Sequence, residues 1–124
     1  MPSYAFSKNR RLLKASEFQE VFDSNRIKVA HPKLLILAKP SDCAQSRLGL
    51  VIGKKNIPTA VGRNRVKRVV RDTFRQIEFP APLDIIFLAR KDADKLSQKE
   101  LSLLLVQSWG RLLQRCHTLE ENNA

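Results

Sequence analysis

Arginine and lysine recur through Gly62-Arg63-Asn64-Arg65-Val66-Lys67-Arg68-Val69-Val70-Arg71-Asp72-Thr73-Phe74-Arg75, six basic residues against one acid. A guanidinium presents a planar fork of N–H donors that fits phosphate oxygens and base edges two at a time, so the chemistry on offer is anion recognition. On a helix turning about 100° per residue, Arg63, Asn64, Lys67, Arg68, Arg71 and Arg75 gather on one side. Val66, Val69, Val70, Thr73, Phe74 and Ile77 gather on the other, and Arg65 stands outside both groups, beside Asp72. Like charges at i, i+4 repel by about a few tenths of a kcal/mol per pair, and an anion lying on the ladder removes that repulsion. The competing reading is a solvated basic face that only keeps the protein soluble. Such faces usually carry interspersed acids, and this one carries Asp72 alone.

Acid–base and metal chemistry have far less to work with. Hydrolysis of a phosphodiester by protein groups needs clustered carboxylates for magnesium or a paired acid and base. The acidic pair Asp92 and Asp94 directly precedes a helix-start pattern and reads as loop chemistry. His31, beside Pro32, reads as a turn residue. Cys43 and Cys116 form no CxxC, and with His31 and His117 they complete no metal-ligand spacing. No catalytic residue, metal site or cofactor is therefore expected in the protein itself.

The elements that must position the ladder can be read along the chain. At 124 residues it fits one domain of 1–124. Lys plus Arg 23 against Asp plus Glu 12 gives a net charge of +11, the footprint of a nucleic-acid binder. An anionic membrane surface is the rival partner, and the arginine-rich patch favours nucleic acid over it. No run of about 18 apolar residues spans a membrane and the N-terminus lacks the apolar core of a signal peptide. A cytoplasmic protein is expected, with no membrane and no obligate protein partner.

Residues 1–14 read as a basic arm carrying Tyr4 and Phe6. Ser16-Glu17-Phe18-Gln19 reads as a capping box, with Ser16 as N-cap and Gln19 reaching back, opening a helix to about Ser24 with Phe18, Val21 and Phe22 on one face. Strands follow at Ile27 to Ala30, at Lys33 to Lys39 and at Arg47 to Gly53; in the last, Leu48, Leu50 and Ile52 alternate with Gly49, Val51 and Gly53. Lys54-Lys55 then leads to the basic helix, with Thr59 as its N-cap and Pro80 and Pro82 ending it. Leu83 to Arg90 reads as a fully buried strand. Ser97-Gln98-Lys99-Glu100 is a second capping box, opening a core helix that carries Leu101, Leu105, Trp109, Leu112, Leu113 and Cys116 on one face. A frayed tail is expected over 118–124. The order is helix, three strands, helix, strand, helix: an α+β domain with helices packed on a small sheet.

At Arg63-Asn64-Arg65, followed by Val66-Lys67-Arg68, Arg71 and Arg75, the chain resembles the protein subunit of bacterial ribonuclease P. The resemblance extends to Phe18 and Phe22, to Arg47-Leu48-Gly49-Leu50 leading into Lys54-Lys55, and to the strand closing with Ala89-Arg90-Lys91, covering roughly Arg10 to Cys116. It implies a two-layer αβββαβα sandwich of the ribosomal protein S5 domain 2-like type, with a small mixed sheet and a left-handed crossover against the usual rule. It also implies an accessory role: a catalytic RNA subunit using bound magnesium removes the 5′ leader of precursor tRNA, and the protein binds that RNA and the leader. The implied RNA contacts are Lys54, Lys55, Arg63, Asn64, Arg65, Lys67, Arg68, Arg71 and Arg75. The implied leader cleft holds Phe18, Phe22 and Arg47. Some members carry aromatics on the second strand, where this chain reads Leu34-Leu35-Ile36-Leu37, so Phe18 and Phe22 are the aromatic positions that match.

Two other classes of function compete. An autonomous nuclease would require the missing carboxylate cluster. A ribosome-associated or other basic nucleic-acid-binding module could use the same helix without a role in cleavage, although strands flank that helix and no helix-turn-helix partner precedes it.

Overall fold

The computed structural model describes residues 11, 12 and 14–122, the side chains of 118–122 excepted. The elements run α1 (Ala15–Ser24), β1 (Ile27–His31), β2 (Leu34–Pro40), β3 (Arg47–Val51), α2 (Ala60–Phe74), β4 (Leu83–Ala89) and α3 (Gln98–Asn122), with a 3-10 turn at Ala93–Lys95. The αβββαβα order is therefore observed. Of the basic arm, residues 1–10 lie outside the described residues. The tail expected from 118 falls on residues whose side chains are not described.

The sheet order is β1-β2-β4-β3. β1 pairs antiparallel with β2, β2 antiparallel with β4, and β3 parallel with β4, so the sheet is mixed and α2 is the crossover between parallel neighbours. Arg11 extends the sheet through an isolated bridge to Leu48.

Period-2 alternation sends two sets of side chains to opposite faces. Ile27, Val29, Leu34, Ile36, Ala38, Leu48, Leu83, Ile85 and Phe87 enter the main core with Val66, Val70 and Phe74 of α2 and Leu101, Leu105, Trp109 and Leu112 of α3. Leu12, Val21, Leu37 and Ile86 form a smaller cluster beneath α1. Between α2 and α3 the buried Trp109 indole N–H donates to Thr73 Oγ1 at 2.9 Å. The Thr73 hydroxyl in turn donates to the Val69 and Val70 carbonyls.

Three helix ends test the capping chemistry. Thr59 Oγ1 accepts the Gly62 N–H at 3.0 Å, as expected for α2. The Ser97–Glu100 box closes in both directions and holds the Glu100 carboxyl below its usual range. At α1 the expected box is wrong: Lys14 is the N-cap, Glu17 accepts its backbone N–H at 2.8 Å, and Gln19 donates to Asp23. Glu17 also meets Arg47 across the sheet, and both demands are met when Glu17 takes the third helical position. The end of α2 differs too. It stops at Phe74, well before Pro80, in tight turns from Gln76 N–H to Thr73 O and from Ile77 N–H to Phe74 O. Breaking the helix there lets Phe79 fold back on Phe74, with ring centroids 5.6 Å apart.

Candidate nucleic-acid interface

The outer flank of α2 carries the ladder, but its members stand in different situations. Arg63 turns back, Nη1 donating to the Ile57 and Pro58 carbonyls at 3.0 and 2.9 Å. Arg65 turns the other way, Nη2 donating to the Asp94 and Leu96 carbonyls at 2.6 and 2.8 Å. These two arginines thus clasp the segments on either side of the helix start, and each retains further N–H donors for a ligand. Asn64 lies exposed between them. Asp72 pairs with Arg75 at 2.9 Å, so the single acid of the ladder sits with the last arginine rather than beside Arg65. Lys67, Arg68 and Arg71, with Lys54 and Lys55 on the preceding loop, enter no salt bridge among the described residues.

Arg71 is where positive charge is least comfortable. Its Nε is buried without a hydrogen-bond partner. Burial, and then the nearby Arg11 charge, lower its affinity for its proton. Leu12 is packed on the α1 face, so strand alternation directs Arg11 to the α2 face. A phosphate between the two guanidiniums would relieve both penalties.

The opposite face of the sheet is organised in rows set by the strand register. One row runs Lys39, Asp84, Arg47; the next Lys28, Leu37, Ile86, Gly49; the third Ala30, Leu35, Leu88, Val51. Helix α1 covers the first two. Glu17 and Glu20 reach the first row through Arg47 and Lys39, Val21 is buried over the second, and the Phe18 ring lies so close to Gly49 that a Cβ there would sit 2.6 Å from Cε1 and Cζ. Helical rotation of about 100° per residue puts Phe18 and Phe22 on the flank away from the two glutamates, towards the third row. That row stays half-exposed to exposed, and Phe22 is 39% accessible beside it. Of the two phenylalanines, Phe18 anchors and Phe22 is open.

The same register gathers cations along one side of this open row, where β2 begins and β4 ends. Leu34 pairs with Ala89, and the Arg90 N–H donates to the Lys33 carbonyl at 3.0 Å. Asn56 Nδ2 donates to the Ala89 carbonyl at 2.9 Å, bringing in the loop that carries Lys54 and Lys55. Lys33, Arg90 and Lys91 thus join the two lysines singled out from sequence. The pairing of β2 with β4 was the missing signal, since these residues are far apart along the chain. Apolar floor, exposed aromatic wall and flanking cations together suit an extended single strand, with bases on the row and phosphates along the cations beside it.

Arg47 does not line that strip as an open cation. Its Nε and Nη2 meet Asp84 Oδ1 and Oδ2 at 2.8 Å each, and Nη1 meets Glu17. Its hydrogen bonds to the Asp84 carboxylate lead the effects that strengthen its hold on its proton.

Asp92 occupies a left-handed conformation at φ 66°, while Asp94 lies over the first turn of α2, against Gly62. His31 Nδ1 accepts the Lys33 N–H inside its turn. Among the described residues no three His, Cys, Asp or Glu side chains group to hold a metal ion, both cysteines are unbridged, and no helix is long and apolar enough to cross a membrane.

Known proteins resemble this chain in sequence and in fold. The ribonuclease P family model matches residues 6–113. The ribonuclease P protein component of Marinomonas sp. is 42% identical over 116 residues, covering 93% of this chain and 88% of its own. That of Pseudomonas paraeruginosa is 45% identical over 114 residues, covering 91% and 84%. Among solved structures, the Staphylococcus aureus RNase P protein superposes with a TM-score of 0.70 at 26% identity, over 86% of this chain and 94% of its own. The Thermotoga maritima RNase P protein does so with 0.62 at 26%, over 78% and 96%. With its Arg-Asn-Arg helix, its αβββαβα order and these relatives along most of its length, the chain belongs to the ribonuclease P protein family.

Proposed function

We propose that this subunit of a tRNA-processing ribonuclease works by dividing its two surfaces between two RNAs. The α2 ladder, with Lys54 and Lys55, grips the RNA subunit. The open row beside Phe18 and Phe22 holds the 5′ leader of precursor tRNA. Cleavage belongs to the RNA subunit and the magnesium bound to it, and the protein contributes affinity and placement.

The segregation of the cations carries this reading. Lys67, Arg68 and Arg71 form no ion pair among the described residues, along one flank of α2, whereas the opposite sheet face offers an apolar row flanked by Lys33, Arg90 and Lys91. A protein nuclease would instead place carboxylates at such a groove. A basic module with no role in cleavage needs the ladder but leaves the open row unexplained.

The test combines purified protein, the RNA subunit and precursor tRNA at low magnesium. The protein alone should not cleave, the RNA alone should cleave poorly, and the two together should release the leader. Cleavage by the RNA-free protein that disappears in an Asp92→Ala, Asp94→Ala double variant would overturn the assignment.

A further inference from the structure

We infer that Arg47 acts as a strut that holds α1 in place and so sets the width of the leader groove, and is not itself an RNA ligand. The inference rests on the leader reading of the open row.

The geometry of the fork supports it. Arg47 spends Nε and Nη2 on the two oxygens of Asp84, at 2.8 Å each, and Nη1 on Glu17 Oε2 at 2.5 Å. Its side chain is 17% exposed and that of Asp84 is 7%. Two carboxylates against one guanidinium leave a local charge of about −1, which repels a phosphate. Glu17 is also the residue that caps α1, its other oxygen accepting the Lys14 N–H at 2.8 Å. A single carboxylate therefore joins the start of α1 to the floor of the sheet.

Helix α1 needs such a tie. Ten residues make a marginal helix by propensity alone, and Val21 is its only fully buried residue. Glu20 and Lys39 form a second tie on the same flank. On the other flank the Phe18 ring rests in the space left by Gly49. Fork on one side and ring on the other fix how far α1 stands from the row Ala30, Leu35, Leu88 and Val51. The distance between Phe22 and that floor follows.

The experiment uses the reconstituted holoenzyme with Arg47→Gln, which removes the charge and the fork, and, separately, Glu17→Gln, which takes the charge out of the tie to α1 while leaving the Asp84 arm intact. Affinity is measured for precursor tRNA carrying a leader and for mature tRNA, across a salt series, with melting of the protein followed in parallel. Both variants should lose about three- to thirtyfold of the preference for the leader. They should keep the dependence of log affinity on log salt, because no phosphate contact is lost. The double variant should lose little more than either single one.

Two results overturn the strut. One is a loss at Arg47 alone, with a salt slope shallower by about one and Glu17→Gln unaffected, which makes Arg47 a phosphate ligand. The other is full preference in both variants. A wild-type holoenzyme that binds both tRNAs equally would instead overturn the leader reading on which the inference stands.

Discussion

The residues of the Arg-Asn-Arg helix look interchangeable in the sequence, and their surroundings separate them. Lys67 and Arg68 project from α2 without an ion pair among the described residues, so replacing either with Ala should weaken binding to the RNA subunit and leave the melting temperature of the protein unchanged. Arg65 differs because its guanidinium satisfies the carbonyls of Asp94 and Leu96. Arg65→Ala should destabilise the domain by about 1–3 kcal/mol as those half-buried acceptors lose their donor. Urea unfolding of the three variants beside filter binding to the RNA subunit checks this, and equal stability in all three would reject the division. The double duty of Arg65 was illegible in the sequence. Its partners lie 29 and 31 residues away, and no local pattern announces a bond from a side chain to a distant carbonyl. The same holds for Arg47, whose partners are 30 and 37 residues away and which the family resemblance assigns to the leader cleft.

Elements were legible where their signals are local. Thr59 and the Ser97–Glu100 box mark the starts of α2 and α3, and the alternation over Leu48, Leu50 and Ile52 marks β3. The start of α1 and the end of α2 were misread because long-range demands decide them: Glu17 is shared with Arg47, and Phe79 returns to Phe74. Packing between elements carries its own tests. Phe18 is half-buried against Gly49, whereas Phe22 is exposed, 39% accessible. Phe18→Ala should therefore cost about 2–4 kcal/mol of stability. Phe22→Ala should leave stability nearly intact and remove about 1–3 kcal/mol of leader binding, the worth of one stacked base. Equal loss of stability in both would place the pair in the core. On the other face, Thr73→Val keeps the shape but strands the buried Trp109 N–H, a cost of about 1–3 kcal/mol. Fluorescence of Trp109, the single tryptophan of the chain, reports the unfolding midpoint directly, and a midpoint like that of the wild type would show the hydrogen bond to be dispensable.

At the scale of the whole molecule, a net charge of +11 bears on what the fold does with its surplus. Among the described residues, salt bridges take up Lys39, Arg47 and Arg75, and two of these three lie in the row beneath α1. Among the described residues, the cations outside salt bridges include Lys54, Lys55, Lys67, Arg68 and Arg71 on α2 and the loop before it, and Lys33, Arg90 and Lys91 at one end of the sheet. Binding to the RNA subunit should therefore be strongly salt-dependent, since each phosphate neutralised releases condensed counterions. If about five phosphates are engaged, by Lys54, Lys55, Lys67, Arg68 and Arg71, affinity should fall by about 10² to 10³ between 50 and 200 mM salt. A Lys67→Ala, Arg68→Ala double variant should show a slope shallower by about two. An Arg71→Ala variant carries a further signature. Its guanidinium is the one that burial and Arg11 weaken in its hold on the proton, so removing it relieves the free protein while taking a contact from the complex. The free protein should melt no lower, and the complex should dissociate faster. If Arg71→Ala destabilises the free protein and leaves both the slope and the dissociation rate untouched, the buried guanidinium is holding the fold together, and the ladder ends at Arg68.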